Sequence, residues 1–257
     1  MMRKYGRKKP LPLPAHRMLS MVSSVLPPTV DLREFCGPIK DQGAEGSCTA
    51  HAGTSANEWI HRKYLGNKTV VFSPAYTYSK ELIVDGTFPQ DAGSDGVTLC
   101  GTLVANGCCE LAKFPYIPGT ITVPTSEQDA DARLFALGAY HGLVSAQVAM
   151  SVLADPTPWP VEIGFTVYQS FESNQTSKTG VYNPQPGEQD LGGHEVLMVG
   201  YDNGINPTLR PKDSPPSALI QNSWGASWGL KGFFWMALTV LDSPDTDLKI
   251  VHSGHPW

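Results

Sequence analysis

The sequence predicts an α+β chain of two lobes, and three observations predict it. Apolar residues follow helical spacing up to about residue 140, while short β-branched and aromatic runs broken by Gly, Pro and Asn dominate afterwards. With 257 residues and 41% apolar composition, the chain has material for a large core without disulfides or metal. The division near 140 separates a mainly helical lobe, 29–140, from a β-rich lobe, 141–257, and ligand sites favour clefts between such units.

Residues 1–28 form a separate segment, basic at its start and proline-rich. Arg3, Lys4, Arg7, Lys8, Lys9 and Arg17 precede any acidic residue, which leaves thirteen basic side chains against all 24 acidic ones in the remainder. A basic arm on an acidic body can bind nucleic acid or anionic lipid, stay solvated, or lie across its own body. Pro10, Pro12, Pro14, Pro27 and Pro28 predict extended backbone, so the folded body starts near Thr29. The apolar stretch from Met18 to Leu26 is short and interrupted by polar residues, which makes it a poor signal peptide. No run approaches the ~20 apolar residues of a membrane span, so the chain reads as soluble, with its compartment open.

Ser47 is the expected N-cap of a helix through "CTAHAGTSANEWIHRKYLG", with Cys48 at its first position and Gly66 at its end. Further helices are expected over Val97 to Ala105, over "SEQDADARLFALGAY" to about Tyr140, and over "SAQVAMSVLAD" up to Pro156. The runs "VEIGFTVYQSF", "GHEVLMVGYD", "SALIQNSWG" and "GFFWMAL" read as strands, and 202–217 as a surface loop.

Five cysteines, at 36, 48, 100, 108 and 109, are too few for a disulfide scaffold and contain no C-x-x-C pair, so no metal or other cofactor is expected. Cys48 stands apart because a helix start lowers a thiol pKa, and a thiol attacks only as thiolate. It needs a base. His51, one turn on, sits inside the same helix and reads as packing. His194 follows two glycines at the start of an apolar strand, a rigid support. Asn222 can hold the second ring nitrogen, with Trp224 keeping water off that bond. Gln42, six residues before the thiol, can aim its amide at an oxyanion together with the Cys48 backbone N–H.

In this order, "Q-x5-C", "G-H-x-V-x-x-V-G-Y" and "N-S-W-G-x-x-W-G" resemble the papain-like cysteine peptidases, over roughly residues 29–250 and most closely the short bacterial branch whose nucleophile reads S-C-T-A. The segments "VDLREFCGPIKDQG" and "DAGSDGVTLCGTLVANGCCELAKFPY" are similar to the family's mature start and glycine segment. The resemblance implies a helical lobe and an antiparallel, barrel-like β lobe with the active-site cleft between them. It also implies Gln42 for the oxyanion, Cys48 as nucleophile, His194 as acid and base, Asn222 as orienter, and substrate backbone along Ser94, Asp95 and Gly96, with Gly193 and Trp224 bordering it.

Departures from the pattern are Glu45 for the cysteine three residues before the nucleophile, with no thiol at its partner position near Gly93, Thr49 for the tryptophan after it, and Glu195 for the alanine after the histidine. Strand alternation turns Glu195 away from His194, where a buried carboxylate requires a partner. A Cys36–Cys109 bridge is compatible with the landmark segments, although sequence fixes no connectivity. The implied activity is peptide-bond hydrolysis through a thioester, with residues 1–28 as a short inhibitory segment in the cleft. The expected partners are a peptide or protein substrate and this segment, with no nucleic acid, in a monomer. A thiol-dependent amidase or acyltransferase and a non-catalytic peptide-binding protein remain as alternatives.

Overall fold

Prolines hold the opening of the chain extended against the body. The structure, a computed structural model, describes residues 3–20, 25–205 and 208–252, so part of the Met18 to Leu26 stretch and of the 202–217 loop lies outside the described residues. After a single 3₁₀ turn at Ala15–Arg17 come β1 (Met18–Leu19) and β2 (Thr29–Asp31), the latter beginning where the body was expected to start.

Four helices follow. α1 (Cys48–Tyr64) is buried from its first residue through His61, and Gly66 takes a positive φ of 70° just beyond its end. Ser47 stands at its N-cap but makes no capping bond; its hydroxyl meets His51 and Tyr116 instead. α2 (Pro74–Val84) was not anticipated, although Ser73 caps it and Pro74 opens it. α3 (Gly96–Ala105) is capped by Asp95, and α4 (Ser126–Arg133) by a Thr125/Gln128 capping box.

The expected run of α4 to Tyr140 is corrected here. The helix stops at Arg133, and Ala139–Leu143 form β3, because Tyr140 and its neighbours pair with the C-terminal strand. Beyond it lie α5 (Ala146–Ala154), β4 (Val161–Tyr168), α6 (Asn174–Thr179), β5 (Val181–Tyr182), β6 (Asp190–Asp202), β7 (Ser217–Gln221), β8 (Phe233–Ala237), α7 (Leu238–Leu241) and β9 (Asp247–His252).

The strands form one sheet in the order β1-β3-β9-β4-β6-β7-β8-β5, with β2 added on β6. It is antiparallel apart from two two-residue strands, β1 on β3 and β5 on β8, which pair in parallel. The long central β6 carries both His194 and Glu195, and its apolar half packs under α1. One continuous core runs from Trp59 and Leu103 on the helices to Phe165, Val199 and Phe234 on the strands. Burying such side chains contributes about 1.5–3 kcal/mol each, and this fixes the helices on the sheet. Among the described residues no helix is long and apolar enough to cross a membrane.

All five cysteines are free. The Cys36–Cys109 bridge is therefore absent, and packing explains it: Cys36 lies against the main core, whereas Cys109 belongs to a separate cluster with Tyr76 and Phe114.

Candidate active site

The thiol is set by a turn and a helix start. Gly43 has a positive φ of 59° and lets the 41–47 loop fold back, so that α1 begins at Cys48 with its free N–H groups toward the cleft. The Cys48 side chain is wholly buried, and the backbone N–H groups of Glu195 and Gly6 face its sulfur.

His194 is equally buried, on β6. Its Nε2 lies 2.9 Å from Asn222 Oδ1, and the Ser223 N–H donates to the same oxygen at 2.9 Å. An oxygen that already accepts a backbone N–H must accept from the ring as well, so the proton sits on Nε2. Nδ1 is left as the basic lone pair, buried and without a hydrogen-bond partner among the described residues. Trp224 packs on the ring with centroids 5.1 Å apart, and Phe165 and Phe171 close other sides.

Gln42 joins the two halves. Its N–H donates to the Ser223 carbonyl at 2.9 Å, its Oε1 accepts from the Ser223 hydroxyl at 2.7 Å, and its Nε2 donates one hydrogen to the Glu45 carbonyl at 3.0 Å. The loop before the thiol is thereby stitched to the loop carrying Asn222.

His51 bonds through Nδ1 to the Ser47 carbonyl at 2.9 Å and packs edge-on against Tyr116; burial pushes its pKa down to about 3. It is a neutral packing residue. Glu45, in place of a cysteine, accepts from the Gly119 N–H at 2.7 Å and so anchors that loop without a disulfide. Thr49 donates to the buried Glu81 carboxyl at 2.6 Å.

Residues 3–9 lie across this site. Gly6 passes over the sulfur and Tyr5 stands edge-on to His194, with centroids 6.5 Å apart. The Arg7 N–H donates to the Gly193 carbonyl at 3.1 Å, and the Lys8 N–H to the Ser94 carbonyl at 2.7 Å. The basic side chains meet acids of the body: Arg3 with Asp41, Lys4 with Asp91, Lys8 with Asp85 and Lys9 with Asp245. Gly93 has a φ of 71°, and a Cβ there would strike the Gly6 carbonyl, so no side chain fits where the segment crosses.

Of the remaining sequence candidates, Ser94 and Gly193 hold the segment's backbone, and Trp224 lies under the Arg3 guanidinium at 4.3 Å. The Asp95 side chain is engaged in capping α3, accepting from Val97 and Thr98, and Gly96 backs onto the Lys249 side chain.

Burial pushes the Cys48 thiol up to about 12, with the Glu195 carboxylate adding to it, while burial pushes His194 down to about 4 against the opposing pull of Asn222. With the segment in place, both shifts favour the uncharged forms of thiol and imidazole.

Glu195 has the partners a buried carboxylate requires: Arg7 Nε at 3.7 Å and Lys249 Nζ at 3.5 Å. Burial raises its pKa, and Arg7 pulls it back. Sequence reasoning did not find Arg7, Gly164, Asp247 or Lys249, which surround this carboxylate; no local pattern marks them.

The model of the papain family cysteine proteases matches residues 26–244. The chain belongs to that family. Among relatives of known sequence, cysteine proteinase 15A of Pisum sativum is 30% identical over 89% of this chain and 63% of its own length. A peptidase C1-like protein of Acanthamoeba polyphaga mimivirus is 29% identical over 76% of this chain and 63% of its own. This member of the papain family thus spans less than two thirds of the length of these relatives. Its fold matches xylellain, a cysteine protease from Xylella fastidiosa, with a TM-score of 0.82 and 24% identity over 98% of this chain and 97% of the other. It also matches digestive procathepsin L2 from Tenebrio molitor larval midgut, with a TM-score of 0.72 and 21% identity over 97% and 78%. The expected α+β papain-like fold is therefore correct.

Proposed function

We propose that this chain is a cysteine-type peptidase, held latent by its own residues 3–9. The observation that carries the reading is the His194–Asn222 bond, which leaves Nδ1 as the free base of the ring, while the Cys48 thiol at the first position of α1 meets the backbone N–H of Glu195, the residue next to that histidine. Family membership and the stitched Gln42 loop support it.

Once the cleft is open, Nδ1 of His194 takes the Cys48 proton, and the sulfur adds to the scissile carbonyl. The charge developing on oxygen is met by the Cys48 N–H and the uncommitted hydrogen of the Gln42 amide. The imidazolium then protonates the leaving amine as the C–N bond breaks, giving a thioester. A water, deprotonated by the same nitrogen, releases the acid and restores the thiol. Asn222 keeps the ring aligned through both proton transfers. Ser94, Asp95, Gly96 and Gly193 line the path of the substrate backbone, and Trp224 borders its leaving side. The nucleophile belongs to the lobe before residue 140, and the base and its orienter to the lobe after it.

The latency reading draws support from the seated segment, whose Gly6 N–H faces the sulfur. The test is hydrolysis of a peptide library by the full chain and by protein beginning at Thr29, with labelling of Cys48 by a thiol-reactive peptide epoxide. Hydrolysis that the shortened protein performs faster, and that C48A abolishes, is the expected result. Labelling without cleavage, or product formed only with an added amine, would replace the peptidase by a binding protein or an acyltransferase.

A further inference from the structure

Arg7 is the most deeply seated residue of the segment. Its side chain is 4% exposed and lies between Glu195 of β6 and Asp247 at the start of β9, with its Nε 3.7 Å from Glu195 and an ion pair from its terminal nitrogen to Asp247. Lys249 meets the same two carboxylates from the other side. The pocket thus presents two carboxyl groups and one ammonium; burial and the nearby Asp95 favour the protonated form of Glu195, and the Arg7 cation draws it toward the charged one. A cationic occupant lets both carboxylates be charged and paired, whereas an apolar side chain leaves Glu195 without the partner that offsets its burial.

The pocket's shape selects among cations. Gly164 forms its floor: a Cβ there would stand 2.5 Å from Arg7 Nε and 2.6 Å from Glu195 Oε2. Two carboxylates approaching from different strands suit a planar fork with separated donors better than the single point of an ammonium.

The direction of the chain follows from the chemistry. His194 must protonate the leaving amine, so the leaving side lies toward His194 and Trp224, where Tyr5 and Arg3 sit. The acyl side therefore runs past Ser94 and Gly193 to the pocket. Gly6 lies at the sulfur and Arg7 is the next residue away from it. A substrate reaches the same pocket with its second residue before the scissile bond while running opposite to the segment, whose bridge to Ser94 is parallel.

We infer that the pocket built by Glu195, Asp247, Gly164 and Lys249 selects arginine at the second residue before the scissile bond, so that the enzyme acts on basic peptides and residues 3–9 mimic that substrate in reverse. The inference rests on the peptidase reading above.

The experiment uses the full chain carrying R7E, which places a third carboxylate in the pocket and so empties it. Matched fluorogenic peptides differ only at the second residue before the scissile bond: Arg, Lys, Leu or Glu. Hydrolysis is followed as kcat/KM, and binding is followed separately by anisotropy of labelled, uncleavable analogues. The expected result is a preference for Arg over Leu of about tenfold or more in both readouts, with Lys between them. Adding D247N lowers the Arg-to-Leu ratio at least about fivefold. Thermal unfolding verifies that each variant is folded. Cleavage with Leu equal to or better than Arg overturns the pocket and leaves the peptidase standing. Absence of cleavage with the Arg analogue still bound about tenfold tighter than the Leu analogue upholds the pocket and overturns the peptidase.

Discussion

Gly6 packs its Cα against the Gly46 carbonyl so closely that any Cβ would overlap it. The obstacle is backbone, which cannot swing aside, so G6A forces residues 3–9 off the sulfur. Alkylation of Cys48 by iodoacetamide, mapped by mass spectrometry to separate it from the half-buried Cys36, should accelerate at least about tenfold in G6A. Equal rates in both proteins would mean that the segment does not control access to the thiol.

Ser223 supplies the hydroxyl that satisfies Gln42 Oε1. S223A leaves that buried oxygen unpaired and should cost about 1–3 kcal/mol in urea unfolding. Peptide hydrolysis should fall with it, because the Gln42 amide loses the contact that aims it. S223T, which keeps the hydroxyl, should recover most of both losses.

Buried acids and buried imidazoles move stability in opposite directions with pH. Burial raises Glu162 from 4.5 to about 8, so the folded state holds its proton more tightly; that contribution is complete below 4.5 and is lost as pH rises through 8. His194 and His51 are depressed from 6.5 to about 4 and about 3, so their contribution is complete above 6.5 and is lost as pH falls through those values. E162Q should make the alkaline decline shallower and leave the acid one in place, as read from thermal midpoints between pH 4 and 9.

Salt should activate the full chain. The Lys4–Asp91 and Lys9–Asp245 pairs are partly exposed and therefore screened as the Debye length shrinks from about 10 Å at 0.1 M toward 3 Å at 1 M. With an uncharged peptide as reporter, hydrolysis should rise several-fold from 0.05 to 0.5 M salt. An unchanged rate would show that these pairs do not hold the segment down.

Much of the site was legible because its signals are local. A cap position, a thiol and a helix period occupy one stretch, and two glycines, a histidine and an apolar alternation occupy another. The α4 reading ran too far because Tyr140 fits a helix pattern as well as a strand, and only pairing with β9 decides between them. β9 itself was hidden by Lys249, a charge in the middle of "DLKIVH" that is only 2% exposed because Glu195 and Asp247 receive it. The helix opened by Ser73 and Pro74 carries its signal in that cap and in the proline at its first position. The seat of Arg7 was not readable: its partners lie about 190 and 240 positions away, and no period links them.

Residues 3–9 remain joined to the body through β1 and β2, so a departing segment never leaves the vicinity of the cleft. A leashed occupant competes at an effective concentration near the millimolar range, whatever the dilution of the protein. Unless the leash is cut, turnover therefore responds to how crowded the surroundings are with rival peptides, with a threshold that a scarce substrate does not cross.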